Sequence, residues 1–263
     1  MSKAVRIVVI VLAVGLMVFA GVQLGSYFYE SIEENAINDE LLAIADSPID
    51  STGDLTDGMV LEEPEAQNWL RQYTRRLFGR AAPGKAPISG NQTKKSLDRA
   101  QKRKINFKAL KKRNKDIIAW ISIPNAPIDY AVVRGKNNTF YLAHNALKRP
   151  SKSGAVFLDS KLRSDFRNLD SIVYGHRMRN GTMFGPLARY RNKKFRKGHR
   201  FIFVYTPETT YRYRVSSVFR TTQTKLKPDN SKTQTLTLVT CDGKKAHIVV
   251  RAKLVSAKKP GKK

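Results

Sequence analysis

A single cysteine, Cys241, occurs in the 263 residues of the chain, and it ends a strand-like run, TQTLTLVTCDG at 233–243. Alternation along this run predicts a β-strand, and the Asp-Gly pair that follows predicts the turn that ends it. One thiol cannot form an internal disulfide. Two interpretations are therefore open: a small buried hydrophobic residue, or a nucleophile presented at a strand end beside a loop.

A cysteine nucleophile reacts as the thiolate and needs a base or an ion-pair partner. Among the four histidines, His176 has the most suitable setting, because it follows an apolar strand in SIVYGHRMRNGTMFG (171–185) and precedes an Asn-Gly turn. His144 and His199 have ordinary surface settings. No Cys and His spacing indicates zinc and no glycine-rich phosphate loop is present, so the sequence predicts neither a metal nor an organic cofactor.

Eight short β-rich runs must position these two side chains. They are IIAWISIP, IDYAVV, AVFLD, SIVYG, RFIFVYT, TYRYRVSSVFRT, TLTLVT and HIVVRAKLV. Runs of this length separated by turns predict a closed or nearly closed β-barrel. Helical spacing in INFKALKKRN (105–114) predicts a helix before the first strand, and MFGPLARYRNKKFRK (183–197) predicts a second short one.

The amino-terminal end predicts a membrane anchor at 7–29, because an apolar run there ends in a cluster of aromatic residues. Lys3 and Arg6 precede it, which places residues 1–6 in the cytoplasm and the rest outside. A cleavable signal peptide, cut after the Val-Phe-Ala at 18–20, is the alternative. With the uncleaved anchor, we expect a single-pass plasma-membrane protein with an extracytoplasmic catalytic domain.

Charge is divided unevenly along the chain. Residues 30–65 contain 12 acidic residues and no basic ones, whereas 47 Lys and Arg face 9 Asp and Glu from residue 71 onwards. We interpret 30–105 as an acidic tether followed by a basic linker, 106–258 as the folded domain and 259–263 as a basic tail. The scattered basic residues and the export signal argue against nucleic acid, and they favour anionic wall polymers or lipid headgroups as partners.

Taken together, these motifs resemble class B sortases, the membrane-anchored cysteine transpeptidases of Gram-positive bacteria. The resemblance rests on NKDIIAWISIP, IDYAVVRGKNNTFYL, GAVFLD, IVYGHRMRNGTMFGPL and TLVTC, which together span roughly 106–256. YGH followed by TLxTC is specific to the family, and MFGPL after the histidine indicates class B.

The resemblance implies an eight-stranded β-barrel with added helices, with Cys241 as the nucleophile and His176 as its partner. In this family the cysteine attacks the carbonyl of a Thr in the C-terminal sorting signal of a surface protein. The resulting thioacyl enzyme is resolved by an amine of a lipid-linked peptidoglycan precursor. A pilin-polymerising sortase, which uses a Lys of another subunit as the acceptor, is equally compatible with the sequence.

One position departs from the family, which has an Arg at the start of the last strand that holds the substrate or stabilises the oxyanion. In HIVVRAKL (247–254) that place is taken by His247. Three interpretations are open: Arg251 or Lys245 serves instead, His247 donates a weaker hydrogen bond, or activity is low. The last of these favours a degenerate sortase fold that acts as a wall-binding protein.

Overall fold

A closed barrel of eight strands forms the body of the molecule. The computed structural model describes residues 3–49, 90–223, 226, 232–242 and 245–260. The strands are β1 Ile117–Ile123, β2 Ile128–Val133, β3 Val156–Leu158, β4 Asp170–Tyr174, β5 Phe201–Tyr205, β6 Thr210–Thr221, β7 Thr235–Cys241 and β8 His247–Lys258. All eight predicted strands are present, so the predicted barrel is confirmed.

The strand order around the barrel is β1-β2-β3-β4-β7-β8-β6-β5. Most neighbours are antiparallel, but β2 with β3 and β4 with β7 run parallel. The parallel β4–β7 pair matters for function, because it brings the carboxyl ends of two strands that are distant in sequence to the same edge of the barrel.

In the described part of the chain, four helices and two 3-10 turns accompany the strands. The helices are α1 Lys3–Ala45, α2 Lys94–Lys102, α3 Phe107–Arg113 and α4 Lys193–Gly198, and the 3-10 turns are Phe140–Leu142 and Gly185–Arg191. The helix predicted before the first strand is α3, whose first turn is capped by the Asn106 side chain. The second predicted helix is divided into the 3-10 turn at 185–191 and α4.

Two apolar cores hold the domain together. One fills the barrel interior with side chains such as Ile121, Leu236, Leu238 and Val250, which alternate along their strands. The other lies between the outer barrel surface and the helices and includes Trp120. Burial on both faces explains why β1 and β7 are apolar or threonine-rich throughout instead of alternating with charged residues.

The second core corrects the prediction for the amino-terminal region. Ile37, Leu41 and Ala45 of α1 are buried in it, at spacings of four residues along one helix face. At the end of α1, Arg103 donates from Nε to Asp46 Oδ1 at 2.9 Å. The parts of the predicted tether and linker in α1 and α2 are therefore structured and contact the domain. Residues 50–89 lie outside the described part of the chain.

The predicted anchor at 7–29 is not confirmed by the structure. Helix α1 covers these positions, but among the residues with described side chains no helix is long and apolar enough to span a bilayer.

Candidate active site

The thiol of Cys241 lies where β7 leaves the barrel. The six residues that precede it in β7 are buried, whereas Cys241 is exposed and its thiol is free. A rigid, buried strand thus ends in a solvent-accessible sulfur, which is the placement predicted for a nucleophile. The alternative of a buried hydrophobic cysteine is excluded by this exposure.

His176 reaches the same edge of the barrel from β4. In the parallel register Tyr174 lies opposite Val239, and the Gly175 amide donates to the Val239 carbonyl at 3.2 Å. His176 lies two residues beyond Tyr174 and Cys241 two residues beyond Val239, so both follow the last paired residues of two neighbouring parallel strands. The structure therefore places both predicted residues at the same edge of the barrel, while their action as a catalytic pair stays a prediction.

The imidazole of His176 is oriented by the backbone. Its Nε2 lies 2.8 Å from the carbonyl oxygen of Leu142. A carbonyl can only accept, so Nε2 carries the hydrogen and, in the neutral ring, Nδ1 is the basic nitrogen. This contact fixes the tautomer and makes Nδ1 the atom that can exchange a proton with a reacting group.

A buried tyrosine holds the 3-10 turn that supplies this carbonyl. Tyr141 donates from its hydroxyl to Asp116 Oδ2 at 2.7 Å and accepts from Asn114 Nδ2 at 3.0 Å. Burial and the Asp116 carboxylate raise the pKa of the Tyr141 hydroxyl above its usual range. The tyrosine thus stays a neutral donor, and it ties the turn that contains Leu142 to the segment between α3 and β1.

A glycine that the sequence reading did not single out supports the same contact. Gly154 has φ +59°, and a Cβ at this position would lie 2.5 Å from the Tyr141 carbonyl oxygen, 2.8 Å from that of Leu142 and 3.0 Å from His176 Cδ2. Real Cβ atoms do not approach backbone oxygens this closely. The glycine that opens the GAVFLD motif is therefore required by the packing around His176.

His247 and Arg251 occupy different places in β8. His247 lies directly opposite Cys241 in the β7–β8 register, whereas Arg251 lies opposite Thr237. Arg251 Cζ sits 5.3 Å from the centroid of the Phe219 ring, which directs the guanidinium along the barrel wall. The structure brings His247 to the site and does not bring Arg251 there.

The Nδ1 atom of His247 is buried and has no hydrogen-bond partner among the described residues. Lys245 is exposed two residues before His247. Neither residue supplies the guanidinium that the family pattern has at position 247.

Arginines that were not predicted as site residues surround the next residue, Asp242. Arg177 Nη1 lies 2.5 Å from Asp242 Oδ1, while Arg220 Nε lies 2.9 Å and Arg191 Nη1 3.7 Å from Oδ2. Burial alone would raise the pKa of Asp242, but the Arg220 hydrogen bond and the charges of the three arginines lower it below its usual value. In the sequence, two features pointed to this cluster: an acidic residue directly follows the cysteine, and an arginine directly follows the histidine.

A cleft of about 570 Å³ opens beside the thiol and is lined by Arg177, Met178, Arg179, Gly181, Gly185 and Cys241. Its wall is the 176–184 loop, which is closed by a hydrogen bond from the Phe184 amide to the His176 carbonyl at 2.9 Å. Within the described ranges, no cluster of three or more His, Cys, Asp or Glu side chains is suited to a metal ion. The cleft offers a thiol and guanidinium groups, and the residue before Arg177 is His176, a combination that suits acyl transfer.

The exposed thiol and the imidazole each follow one strand of a parallel pair, an arrangement that indicates a cysteine enzyme. Comparison with known proteins identifies its family. Residues 121–255, just over half of the chain, match the family model described as the sortase domain. The chain therefore belongs to the sortase family.

The relatives place it in class B. Sortase B of Listeria monocytogenes is 34% identical over 113 residues, which are 43% of this chain and 46% of that protein. Sortase B of Staphylococcus aureus is 33% identical over 118 residues, 44% of this chain and 48% of that protein. The matched segments thus span about half the length of these curated relatives.

A solved structure agrees with this assignment. The X-ray structure of Clostridium perfringens sortase B superimposes with a TM-score of 0.51 at 30% identity, and the match covers 57% of this chain and 100% of that one. The class B resemblance predicted from the motifs is confirmed.

Proposed function

We propose that the protein is a cysteine transpeptidase that cleaves a C-terminal sorting signal after Thr and transfers the acyl group to an amine. The observation that carries this proposal is the exposed thiol of Cys241 at the end of β7, at the barrel edge where β4 leads into His176, whose tautomer is fixed by the Leu142 carbonyl. Membership of the sortase family supports the same reaction class.

In the first half of the reaction, the Cys241 sulfur attacks the carbonyl carbon of the Thr residue. The tetrahedral intermediate collapses to a thioester, and Nδ1 of the His176 imidazolium gives its proton to the departing amine. In the second half, the incoming amine attacks the thioester, the neutral Nδ1 accepts a proton from it, and the C–S bond breaks to release the Cys241 thiolate. One nitrogen thus acts first as acid and then as base.

The partners in this proposal are surface proteins that bear a sorting signal and an amine acceptor on a lipid-linked cell-wall precursor. A lysine side chain of a pilin subunit is chemically equivalent as the acceptor. Anionic wall polymers are further proposed partners, since the domain from residue 71 onwards has 47 basic and 9 acidic residues.

For the location, we propose the outer face of the plasma membrane, with the run at 7–29 as the anchor. Support comes from the apolar side chains of α1 that are exposed to solvent in the isolated chain, including Leu16, Met17 and Phe19 at 69%, 76% and 63%. Contact with lipid would stabilise this many exposed apolar side chains on one helix. Fractionation of expressing cells tests the location, and recovery of the full-length chain in the soluble fraction would contradict it.

A sortase-like protein that binds the wall without catalysis is the second candidate, and the observation that favours it is His247 at the usual arginine position. Full-length protein in detergent micelles, incubated with Asn-Pro-x-Thr peptides and hydroxylamine, separates the two. The enzyme yields the threonine hydroxamate by mass spectrometry, and Cys241→Ala yields none. If several such peptides give no hydroxamate with the wild-type protein, the binding protein is the better description.

A further inference from the structure

The carboxylate of Asp242 is shared by guanidinium groups from three separate segments of the chain. Arg177 follows β4, Arg191 ends a 3-10 turn and Arg220 lies near the end of β6. Three positive charges on one carboxylate leave two in excess. The side chain of Asp242 is 13% exposed, whereas those of Arg177 and Arg220 are 40% and 61% exposed. The Asp242 carboxylate is thus largely shielded from solvent, whereas the Arg177 and Arg220 side chains are exposed to it.

Strand register brings Arg220 close to the thiol. Cys241 lies opposite His247, and His247 in turn lies opposite Thr221, the residue after Arg220. Two strand spacings separate the Arg220 backbone from Cys241, a distance of about 10 Å that a long side chain can largely span. Its Nε reaches the carboxylate of the residue bonded to Cys241.

Arg177 approaches the thiol from the opposite side. It follows His176 directly, its backbone pairs with Met183 in an isolated bridge, and it lines the same cleft as Cys241. A guanidinium has five N–H donors, so one carboxylate cannot engage all the donors of three. Donors therefore remain for a second anionic group in the cleft.

We propose that Arg177 and Arg220, held in place by Asp242, form an anion-binding site beside Cys241 that accepts the negative charge developing on the substrate carbonyl oxygen. The inference rests on the proposed function, and it assigns the role that the family gives to an arginine at position 247. Arg177 is the donor to the oxyanion, Arg220 adds positive charge, and Asp242 is a positioning residue.

The step that uses the site is the first addition. The Cys241 thiolate gives an electron pair to the carbonyl carbon, a C–S bond forms, and the π pair of the C=O bond moves onto oxygen, where Arg177 stabilises it. When the C–N bond breaks, that pair returns to the carbonyl, and the leaving nitrogen takes a proton from His176. Charge and protons balance within the protein and its peptide.

Two readouts on the full-length protein in detergent test the site. The first is the ratio of two Cys241 alkylation rates, one with anionic iodoacetate and one with neutral iodoacetamide. Both reagents react with the thiolate, so the thiolate fraction cancels and the ratio reports the electrostatic potential at the sulfur. The single cysteine makes each product assignable by mass. Arg177→Gln and Arg220→Gln are each expected to lower this ratio about threefold, the effect of one unit charge about 7 Å away in water.

The second readout is cleavage of an Asn-Pro-x-Thr peptide. Arg177→Gln is expected to lower kcat on the order of 100-fold with little change in KM, as for loss of an oxyanion donor. Asp242→Asn separates charge from positioning: the iodoacetate preference rises, because a negative charge is removed, while kcat falls, because the guanidiniums lose their anchor. A variant that only loses packing would not raise the iodoacetate preference while it lowers kcat.

Arg214→Gln is the matched control, since Arg214 is exposed on the same strand and about 20 Å from Arg220. Arg220→Lys retains the charge and is expected to keep the alkylation ratio. The inference is overturned if Arg177→Gln and Arg220→Gln match Arg214→Gln in both readouts. If the wild-type protein cleaves no peptide but shows an arginine-dependent ratio, the transpeptidase proposal fails and the anion-binding site stands.

Discussion

Replacing Gly154 by alanine probes the support of His176 without replacing either reacting side chain. The added methyl carbon would lie 2.5 Å and 2.8 Å from two carbonyl oxygens, of Tyr141 and Leu142. One of these, Leu142 O, accepts the hydrogen bond that orients the imidazole. The backbone must move to relieve the overlap, and the histidine is expected to move with it.

The magnitude has two parts. A non-glycine residue at φ +59° costs about 1–2 kcal/mol, and forced overpacking adds about 1–3 kcal/mol. We therefore expect Gly154→Ala to lower the free energy of unfolding by about 2–5 kcal/mol. A displaced catalytic group lowers the rate of peptide cleavage on the order of 10-fold to 100-fold.

Gly90→Ala is the matched control, because Gly90 has a similar φ of +67° and no atom within 4 Å of the position of a Cβ. It is expected to cost about 1–2 kcal/mol and to leave cleavage unchanged. Urea denaturation followed by far-UV circular dichroism, together with peptide cleavage kinetics, measures both effects. Equal stability and equal cleavage rates for the two variants would refute the close packing around His176.

Three further predictions concern the outer core, the arginine cluster and the buried tyrosine. Leu41→Ala removes a side chain that is 2% exposed and is expected to lower the free energy of unfolding, measured by urea denaturation, by about 2–5 kcal/mol. Leu169→Ala, at a side chain that is 66% exposed, should change it little. Equal effects would show that α1 does not pack on the barrel. The lowered pKa of Asp242 means that its carboxylate stabilises the fold at neutral pH and that this contribution is lost as the pH falls below about 4. The wild-type urea midpoint should therefore exceed that of Asp242→Asn by more at pH 7 than at pH 2.5, and a pH-independent difference would contradict the ion pairs. Tyr141→Phe removes the hydrogen bond to Asp116, so we expect the free energy of unfolding to fall by about 1–3 kcal/mol and peptide cleavage to become slower. Unchanged thermal unfolding and cleavage kinetics would show that the tyrosine does not hold the 3-10 turn.

Local sequence patterns predicted the barrel well, because each strand has its own apolar run and its own turn. They failed for the amino-terminal region. Ile37, Leu41 and Ala45 form a helical stripe, but acidic residues dominate the composition around them, which is why this part of 30–105 was predicted to be an acidic tether. The stripe becomes recognisable only when a surface is available to cover it, and that surface is the outside of the barrel around Trp120.

The site shows a similar division. Cys241 and His176 were predictable because each ends an apolar strand, and strand ends at one edge of a barrel lie close together. The arginines around Asp242 were not, since they lie far apart in the sequence. Arg177 and Arg220 reach Asp242 because strand register places β4 and β6 near the end of β7, and Arg191 reaches it from the 3-10 turn at 185–191. Register is a long-range property, and no local spacing specifies it.

The histidine at position 247 and the cluster around Asp242 have a common physical explanation. Position 247 faces Thr221, next to Arg220, and it also faces Cys241. An arginine at 247 would add a further positive charge to a site that already holds three guanidiniums against one carboxylate, and like charges at this separation repel one another. An imidazole in place of a guanidinium avoids adding a permanent positive charge and leaves the cationic role to arginines on the neighbouring segments. On this reasoning the departure at His247 marks a relocated guanidinium, and His247→Arg in the wild-type background should lower the free energy of unfolding, whereas the same substitution together with Arg220→Gln should restore it.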